Sequence, residues 1–496
     1  MGITVVLGGV LSACGGSGGP GPVPPAVNRL AKLKHGTASV TVDPSQVGAA
    51  VSNLVLGANM AVWYNVTLPG IASSMTSVGL KATRWPGGSA ADWYHWQNNS
   101  GGPGVCAGHP SPNSTFDNFM QDVARPAGLD VALAVNYGSN AACTAGGDPS
   151  EAAAWVAYAN ATQGYDITWW TVGNEPWNTH EIDLNSQPHS SALYASIEAS
   201  QFYPQMKAAS PIPINVCVDV NPKIAGWDAT VLAQAAYDCV ELHYYAQGNT
   251  VDDGKLLTYG AARLTTEIEQ LENELSAAGH PNTPIYLGEI GSTGGVPGKQ
   301  TQSIVQALYA GQVIGELLRN GIPRATWWMA YGGCDLQSQG GDFDRSLYGW
   351  QTFGGAMIFA DQQLANGCPT PAIPATTPLA TARAFQVASY FVRGGEHMLG
   401  ATVAGFPNVR AYASTYAGGY AVMLFNLSQA TAQNVPVAIN GKSSGSGGTI
   451  VTYDKSLYDA SQNNQWQAPT VSALSSWTGS FTVTLPPWSM VVVQTQ

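Results

Sequence analysis

From about residue 50 to 395, short apolar and aromatic runs alternate with longer amphipathic stretches, and the alternation repeats eight times. Parallel strands joined by crossover helices are what such a pattern specifies. The strand segments fall at 54–61, 80–88, 129–138, 167–176, 214–220, 239–246, 284–292 and 324–333. Helical stretches lie between them. One, at 149–162, has Asp148 or Ser150 as its cap; another carries Ile304, Leu308, Gly311 and Leu318 on one stripe and stops at Gly321. Eight such units predict an α/β chain with a (β/α)₈ barrel over 50–395. The rival architecture, an open doubly wound sheet, lacks the Gly-rich nucleotide turn expected after its first strand.

Beyond residue 395 the pattern changes to short alternating strands separated by Gly, Ser and Asn, which predicts a helix-free antiparallel β-sandwich over 396–496. A strand at 37–49 is expected to join it and tie the chain ends together. Ahead of that strand, Ile3 to Ala13 is an apolar run too short to span a membrane. It closes on Leu11-Ser12-Ala13-Cys14, which resembles a bacterial lipobox, so 1–14 reads as a signal peptide with Cys14 lipidated. Residues 15–36 read as a flexible linker. No Lys or Arg precedes the apolar run, which departs from the usual signal. The expectation is an extracytoplasmic, membrane-anchored lipoprotein.

Charge narrows the partners. Lys and Arg number 19 against 31 Asp and Glu, a balance of −12, and no basic stretch exceeds Lys32 to His35, so nucleic acid and anionic lipid surfaces are excluded. Only 10% of the chain is charged, while 15 Trp and 21 Tyr offer faces for a neutral polar ligand such as a poly- or oligosaccharide. No Cys and His spacing suggests a zinc site, and neither a metal nor a cofactor is expected. The sequences 294–301, 441–445 and 180–184 resemble phosphate-loop or zinc motifs but lack their defining residues, and read as loops.

In a (β/α)₈ barrel the working residues stand at the C-terminal ends of the strands. Here the second strand ends in Arg84-Trp85-Pro86-Gly87-Gly88, the third in Asn136-Tyr137-Gly138 and the fourth in Asn174-Glu175-Pro176. The sixth ends in His243-Tyr244-Tyr245 and the seventh in Gly288-Glu289. Two carboxylates facing one pocket suit acid/base and nucleophilic work on an acetal. Glu241 shares parity with His243 and Tyr245 and points inward, so Arg84 serves either Glu289 or Glu241. Trp327 and Trp328 alternate, one inward and one into the helix layer.

At these residues the chain resembles the retaining glycoside hydrolases of clan A, the 4/7 superfamily. The stretches RWPGGSAADWYHW (84–96), DPSEAAAWVAYAN (148–160) and LPPWSMVVV (485–493) are most similar to the α-L-arabinofuranosidase family and its heparanase and β-glucuronidase relatives, with which HYYA (243–246) is shared. The resemblance covers about 50–496. It implies that Glu175 is the acid/base, Glu289 the nucleophile, Arg84 and Tyr245 donors to Glu289, and Asn174 a partner of the hydroxyl beside the reacting carbon. His243 supports them, and Asn59, Trp85, Asn136, Trp177 and Trp328 are implied substrate contacts. One departure stands out: Gly288 precedes the nucleophile where the family places Thr or Asp.

Trp170, Pro176 and Trp177 flank Glu175 and are expected to raise its pKa. The expected activity is that of a retaining O-glycosidase, arabinofuranosidase-like, with an endo-β-glycanase or β-glucuronidase as alternatives. A non-catalytic surface glycan-binding lipoprotein is the alternative of another class. Six cysteines remain beyond Cys14. The barrel would pair Cys106 with Cys143 between neighbouring loops and Cys334 with Cys368 inside one long loop, while Cys217 and Cys239, in strand-like runs, are either free thiols or a bridge.

Overall fold

The computed structural model describes residues 38–248, 251–294, 298–332, 335–336, 353–361, 373–462 and 465–496. Eight parallel strands close into a barrel in chain order: Gly57–Asn59, Ala82–Trp85, Asp130–Val135, Trp169–Val172, Asn215–Val220, Cys239–Gln247, Ile285–Thr293 and Arg324–Trp327. The first pairs with the eighth through Ala58 and Trp327. Each strand is buried on both faces, by the barrel interior and by the helices around it, which is why the strands read as near-continuous apolar runs. At the N-terminal end of the barrel, the Arg324 guanidinium binds the Asp130 carboxylate and its carbonyl, between the rings of Trp169 and Tyr286.

A second sheet of eleven strands packs beside the barrel. The N-terminal strand Ser39–Ala50 enters this sheet, antiparallel to His397–Ala404 and parallel to Gln433–Ile439. The described sheet is therefore antiparallel except at that one junction. Its two halves enclose a core that includes Val40, Val437 and Phe481 on one side and Val422, Leu424 and Val491 on the other. Ser480–Leu485 alternates exposed and buried residues as an outer strand should. Ser489–Thr495 is buried throughout, because the helix Ala380–Phe391 covers its second face; Gln494 donates to the Tyr390 carbonyl there at 2.6 Å. One element departs from the helix-free expectation. Asp454 ends a strand and accepts the Leu457 N–H at 2.9 Å, starting a short helix, Lys455–Ala460.

The helix Ile304–Arg319 joins the two parts. Ser303 caps its start, accepting the Val305 N–H, and Gly321, at φ 68°, follows its end. The expected single apolar stripe is replaced by burial from Ile304 to Leu318 on every side, since the helix is wedged between barrel and sheet. Two glycines allow that approach. A Cβ on Gly311 would lie 2.6 Å from the Met490 sulfur and 2.8 Å from Phe425, and one on Gly315 would lie 2.6 Å from the Tyr412 ring. That ring is held in turn by its hydroxyl, which donates to Glu316 at 2.7 Å.

Two disulfides are present among the described residues. Cys106–Cys143 ties the loop after the second barrel strand to the loop after the third, and Cys217–Cys239 links register partners on the fifth and sixth strands. The second settles the alternative the sequence left open. Cys14, the linker and the Cys334–Cys368 pair lie outside the described residues.

Two outcomes follow from this packing. Gly315→Val should lower stability by about 1–3 kcal/mol in urea denaturation, because overpacking against the fixed Tyr412 ring outweighs the gain in helix propensity. An unchanged midpoint would contradict the wedge. The second concerns pH: burial pushes the carboxyls of Glu198 and Asp228 up to about 8. Their folded-state pKa exceeds the unfolded value, so the folded chain holds extra protons and loses stability as pH rises between about 4 and 8. The melting temperature should therefore be lower at pH 8 than at pH 5; a flat or rising curve would contradict the burial of these acids.

Candidate active site

The fourth barrel strand explains how Glu175 is presented. Trp170 alternates outward, fully buried near Trp155, with its indole N–H on the Ile167 carbonyl at 3.0 Å. Thr171 points inward, donating to Glu241. Past Val172 the chain takes left-handed turns at Gly173, φ 82°, and at Glu175, φ 45°. The second is strained for a residue with a side chain. It is held by the Glu175 N–H, which donates to Asp219 at 2.7 Å, and by the Asn178 N–H on the Glu175 carbonyl at 2.7 Å. Both Asn174 and Glu175 thereby face the same cavity.

The seventh strand presents Glu289 by a bulge. Leu242 pairs with Leu287 but His243 pairs with Glu289, and the register on the other edge shifts at the same place, so Gly288 is the inserted residue. Its carbonyl accepts from Asn59 at 2.8 Å and from Thr326 at 2.6 Å. A Cβ at Gly288 would sit 1.7 Å from a Glu241 carboxylate oxygen. The glycine noted before Glu289 in the sequence thus has a cause: the space beside it is already filled by Glu241.

Arg84 binds these parts together. Only 1% exposed, it pairs through Nε with Glu241 at 2.8 Å, through one terminal nitrogen with Glu289 at 3.1 Å and Asn59 at 3.3 Å, and through the other with Asn174 at 3.0 Å. It serves both carboxylates, so the two sequence readings of Arg84 hold together. Tyr245 donates to the second Glu289 oxygen at 2.6 Å. His243 stands between Glu175, 2.9 Å from Nδ1, and Glu241, 3.0 Å from Nε2. One oxygen of Glu175 and one of Glu289 lie within 4.8 Å of each other.

The electrostatics differ from the expectation in one respect. Burial pushes the Glu175 carboxyl up, but the His243 hydrogen bond and charge outweigh it, with Asn178 and Arg84 adding to them, and hold it below its ordinary value. The wall of aromatics expected to raise it is absent: Trp170 faces the helix layer, and Trp177 packs edge-on against Trp227 and the His243 ring. Burial opposes charge on His243, yet Glu289, Asp219 and its bonds to Glu175 and Glu241 raise its pKa well above the usual value. Burial also raises Glu289, against the opposing charges of His243 and Arg84.

The cavity at this face measures about 410 Å³ and is lined by Trp63, Trp328, Asn174, Glu175, Tyr245 and Glu289, with Gly88, Ser89 and Glu181. Trp328 is the inward member of its pair, closing over Gly88 where a Cβ would meet its ring at 2.6 Å; Trp327 packs outward on Tyr309 and Phe385. Four implied substrate contacts stand outside the cavity lining. Trp85 turns outward and stacks on Phe119 at 4.5 Å. Asn136 is spent inside its loop, bonding the Tyr94 carbonyl and the Ser139 N–H. Asn59 lies beneath Arg84, fully buried and away from the cavity lining. Trp177 supports His243 instead of lining the cavity.

Two acids escaped the sequence reading. Glu181 accepts from Ser89 at 2.9 Å and Asn174 at 3.3 Å, and burial pushes it up to about 7 against the Ser89 bond. It sits in the 180–184 stretch read only as a loop. Asp219, which anchors the Glu175 backbone, ends the fifth strand, where the strand-end rule would have found it. Glu175, His243 and Glu289 form the one cluster among the described residues whose ligand atoms could converge on a metal. They fit one poorly, since both Glu289 oxygens are engaged and a guanidinium stands 3.1 Å away. A cleft of about 500 Å³ near Lys81 and Arg393 is lined by no carboxylate.

No protein-family model matches the chain, and no curated protein matches it in sequence. Its fold is shared with solved glycosidases. It is similar to an α-L-arabinofuranosidase from Thermotoga maritima at 14% identity and TM-score 0.71, covering 92% of this chain and 99% of that one. A GH51 α-L-arabinofuranosidase from Thermotoga petrophila RKU-1 gives 16% and 0.70, over 93% and 100%. A Paenibacillus polymyxa xyloglucanase of glycoside hydrolase family 44 gives 13% and 0.64, over 92% and 99%. The chain thus has the barrel-and-β-domain fold of these solved glycosidases.

Proposed function

We propose that this chain is a retaining glycoside hydrolase in which Glu289 is the nucleophile and Glu175 the acid/base. The observation that carries the reading is the pair of carboxylates at the barrel mouth with oxygens within 4.8 Å of each other. Retaining enzymes hold theirs about 5–5.5 Å apart, and inverting ones leave about 6.5–9.5 Å for a water. The roles follow from the surroundings. Glu289 is clamped by Arg84 and Tyr245, which suits a group that must meet the anomeric carbon at a fixed distance. The Glu175 side chain is 20% exposed and has a basic partner in His243, which suits a group that exchanges protons.

In the first half-reaction a Glu289 oxygen bonds to the anomeric carbon as the glycosidic oxygen departs with a proton from Glu175. Water then attacks that carbon, its proton going to Glu175, and Glu289 leaves. In the resting ion pair the proton sits on His243; its shift along the 2.9 Å hydrogen bond gives the reactive acid form of Glu175. Asn174, oriented by Arg84, offers its amide to the hydroxyl next to the reacting carbon.

A neutral sugar fits best. Arg84 and His243 are both committed to carboxylates, and Glu181 adds an acid to the cavity with no ion-pair partner among the described residues. Arabinofuranoside is the first choice, and β-linked glucan or xylan the second, in keeping with the neighbours' activities. The two disulfides suit an oxidising compartment. No described helix is long and apolar enough to cross a membrane, and anchoring through a lipid on Cys14 is part of the proposal.

An aryl-glycoside panel of arabinofuranoside, glucoside, xyloside and glucuronide tests this. Turnover should appear on a neutral member and be weakest on the glucuronide; saccharide binding without turnover on any member would favour a binding protein. Glu175→Gln should lose about 10²–10⁴-fold on substrates whose leaving group needs a proton. Glu289→Gln should be inactive, and azide should restore turnover to Glu289→Gly. In an NMR time course the first product should keep the substrate's anomeric configuration; the inverted anomer would overturn the mechanism.

A further inference from the structure

Glu241 is fully buried and does not line the cavity, so it cannot touch a sugar held there. One of its oxygens meets Arg84 Nε at 2.8 Å and His243 Nε2 at 3.0 Å, and the other accepts the Thr171 hydroxyl. A carboxylate only accepts, so Nε2 must bring the hydrogen. That leaves Nδ1, 2.9 Å from Glu175, as the nitrogen that can hold a proton or release it.

Building on the glycosidase reading, we propose that Glu241 is a positioning residue for the proton transfer. It fixes the His243 ring with Nε2–H turned into the barrel and Nδ1 turned to Glu175, so that one proton passes between Nδ1 and the Glu175 carboxyl. The proton that departs with the leaving oxygen comes from this pair, and the attacking water returns it. Gly288 belongs to the same device. Any side chain there would strike Glu241, whose oxygen lies 1.7 Å from the Cβ position, so the glycine before the nucleophile and the buried acid two residues before His243 require each other.

The charged groups around His243 are Glu175, Glu241, Glu289 with an oxygen 3.9 Å from Nδ1, and Asp219, with Glu181 further off in the cavity and Arg84 across Glu241. The raised pKa of His243 agrees with this setting. Of these groups Glu241 alone bonds Nε2. A charged partner at such a distance shifts a pKa by about 1–3 units.

The test compares wild type with Glu241→Gln and with the double variant Glu241→Ala/Gly288→Ala. The double variant removes the acid and fills its space, guarding against a failure of the substituted amide to pack. Two readouts separate positioning from simple support of the fold. The alkaline limb of the kcat/KM profile should fall by about one pH unit or more in both. The loss should also be at least about tenfold larger on an alkyl glycoside, whose leaving oxygen needs a proton, than on a dinitrophenyl glycoside, which does not. Equal losses on both with an unmoved limb would overturn the proposal. The ¹⁵N signals of the His243 ring need no substrate. Their titration should move to lower pH in Glu241→Gln, and an unmoved titration overturns the proposal even for a folded protein that hydrolyses nothing. Absence of wild-type turnover would defeat the glycosidase reading, and the ring titration would still decide the role of Glu241.

Discussion

A single guanidinium joins strands that never meet in sequence. Arg84, on the second barrel strand, reaches Asn59 on the first, Asn174 after the fourth, Glu241 on the sixth and Glu289 on the seventh. A buried cation is costly unless its partners are fixed around it, and removing one partner leaves an uncompensated charge. The barrel meets that condition by supplying each partner from a different strand or the turn that follows it. The same contacts orient the amide of Asn174, fix one oxygen of Glu289 and secure Glu241 beneath His243. Placement of the reactive groups and satisfaction of the buried charge are one arrangement.

Acidity at this site is a balance of burial against hydrogen bonds and charges, and the balance differs from group to group. Glu175 is largely enclosed, yet His243 keeps its carboxyl low; Glu289 touches a cation and a phenol, yet burial pushes it up. The mobile proton therefore belongs to a group of residues instead of to one carboxyl. In the proposed mechanism such a group serves as acid in one half-reaction and base in the next, because His243 lies one hydrogen bond from Glu175.

Much of the architecture was legible because the eightfold alternation admits few folds, and the strand-end residues Arg84, Asn174, Glu175, His243, Tyr245 and Glu289 do converge. What failed depended on side-chain direction. Trp85 follows Arg84 and Trp170 precedes the inward-facing Thr171, but alternation on a strand sends neighbours to opposite faces. Asn136 and Asn59 do stand at strand ends, yet their amides are used up by backbone groups and Arg84. Gly288 was visibly unusual, while its reason required the bulge that sets it against Glu241. Glu181 lies in a loop without periodicity, where position cannot be read from pattern. The all-round burial of Ile304–Leu318 likewise depended on how closely the second sheet packs, which Gly311 and Gly315 permit but do not announce.

In the proposed reaction Glu289 forms a covalent bond to the sugar while Glu175 manages the proton. The most direct test is to incubate the protein with the 2-deoxy-2-fluoro analogue of the aryl glycoside it turns over best, then locate the added mass by peptide mass spectrometry. One adduct per chain is expected, on Glu289. An adduct on Glu175 or Glu181, or turnover of the parent glycoside with inverted product and no adduct, would contradict it.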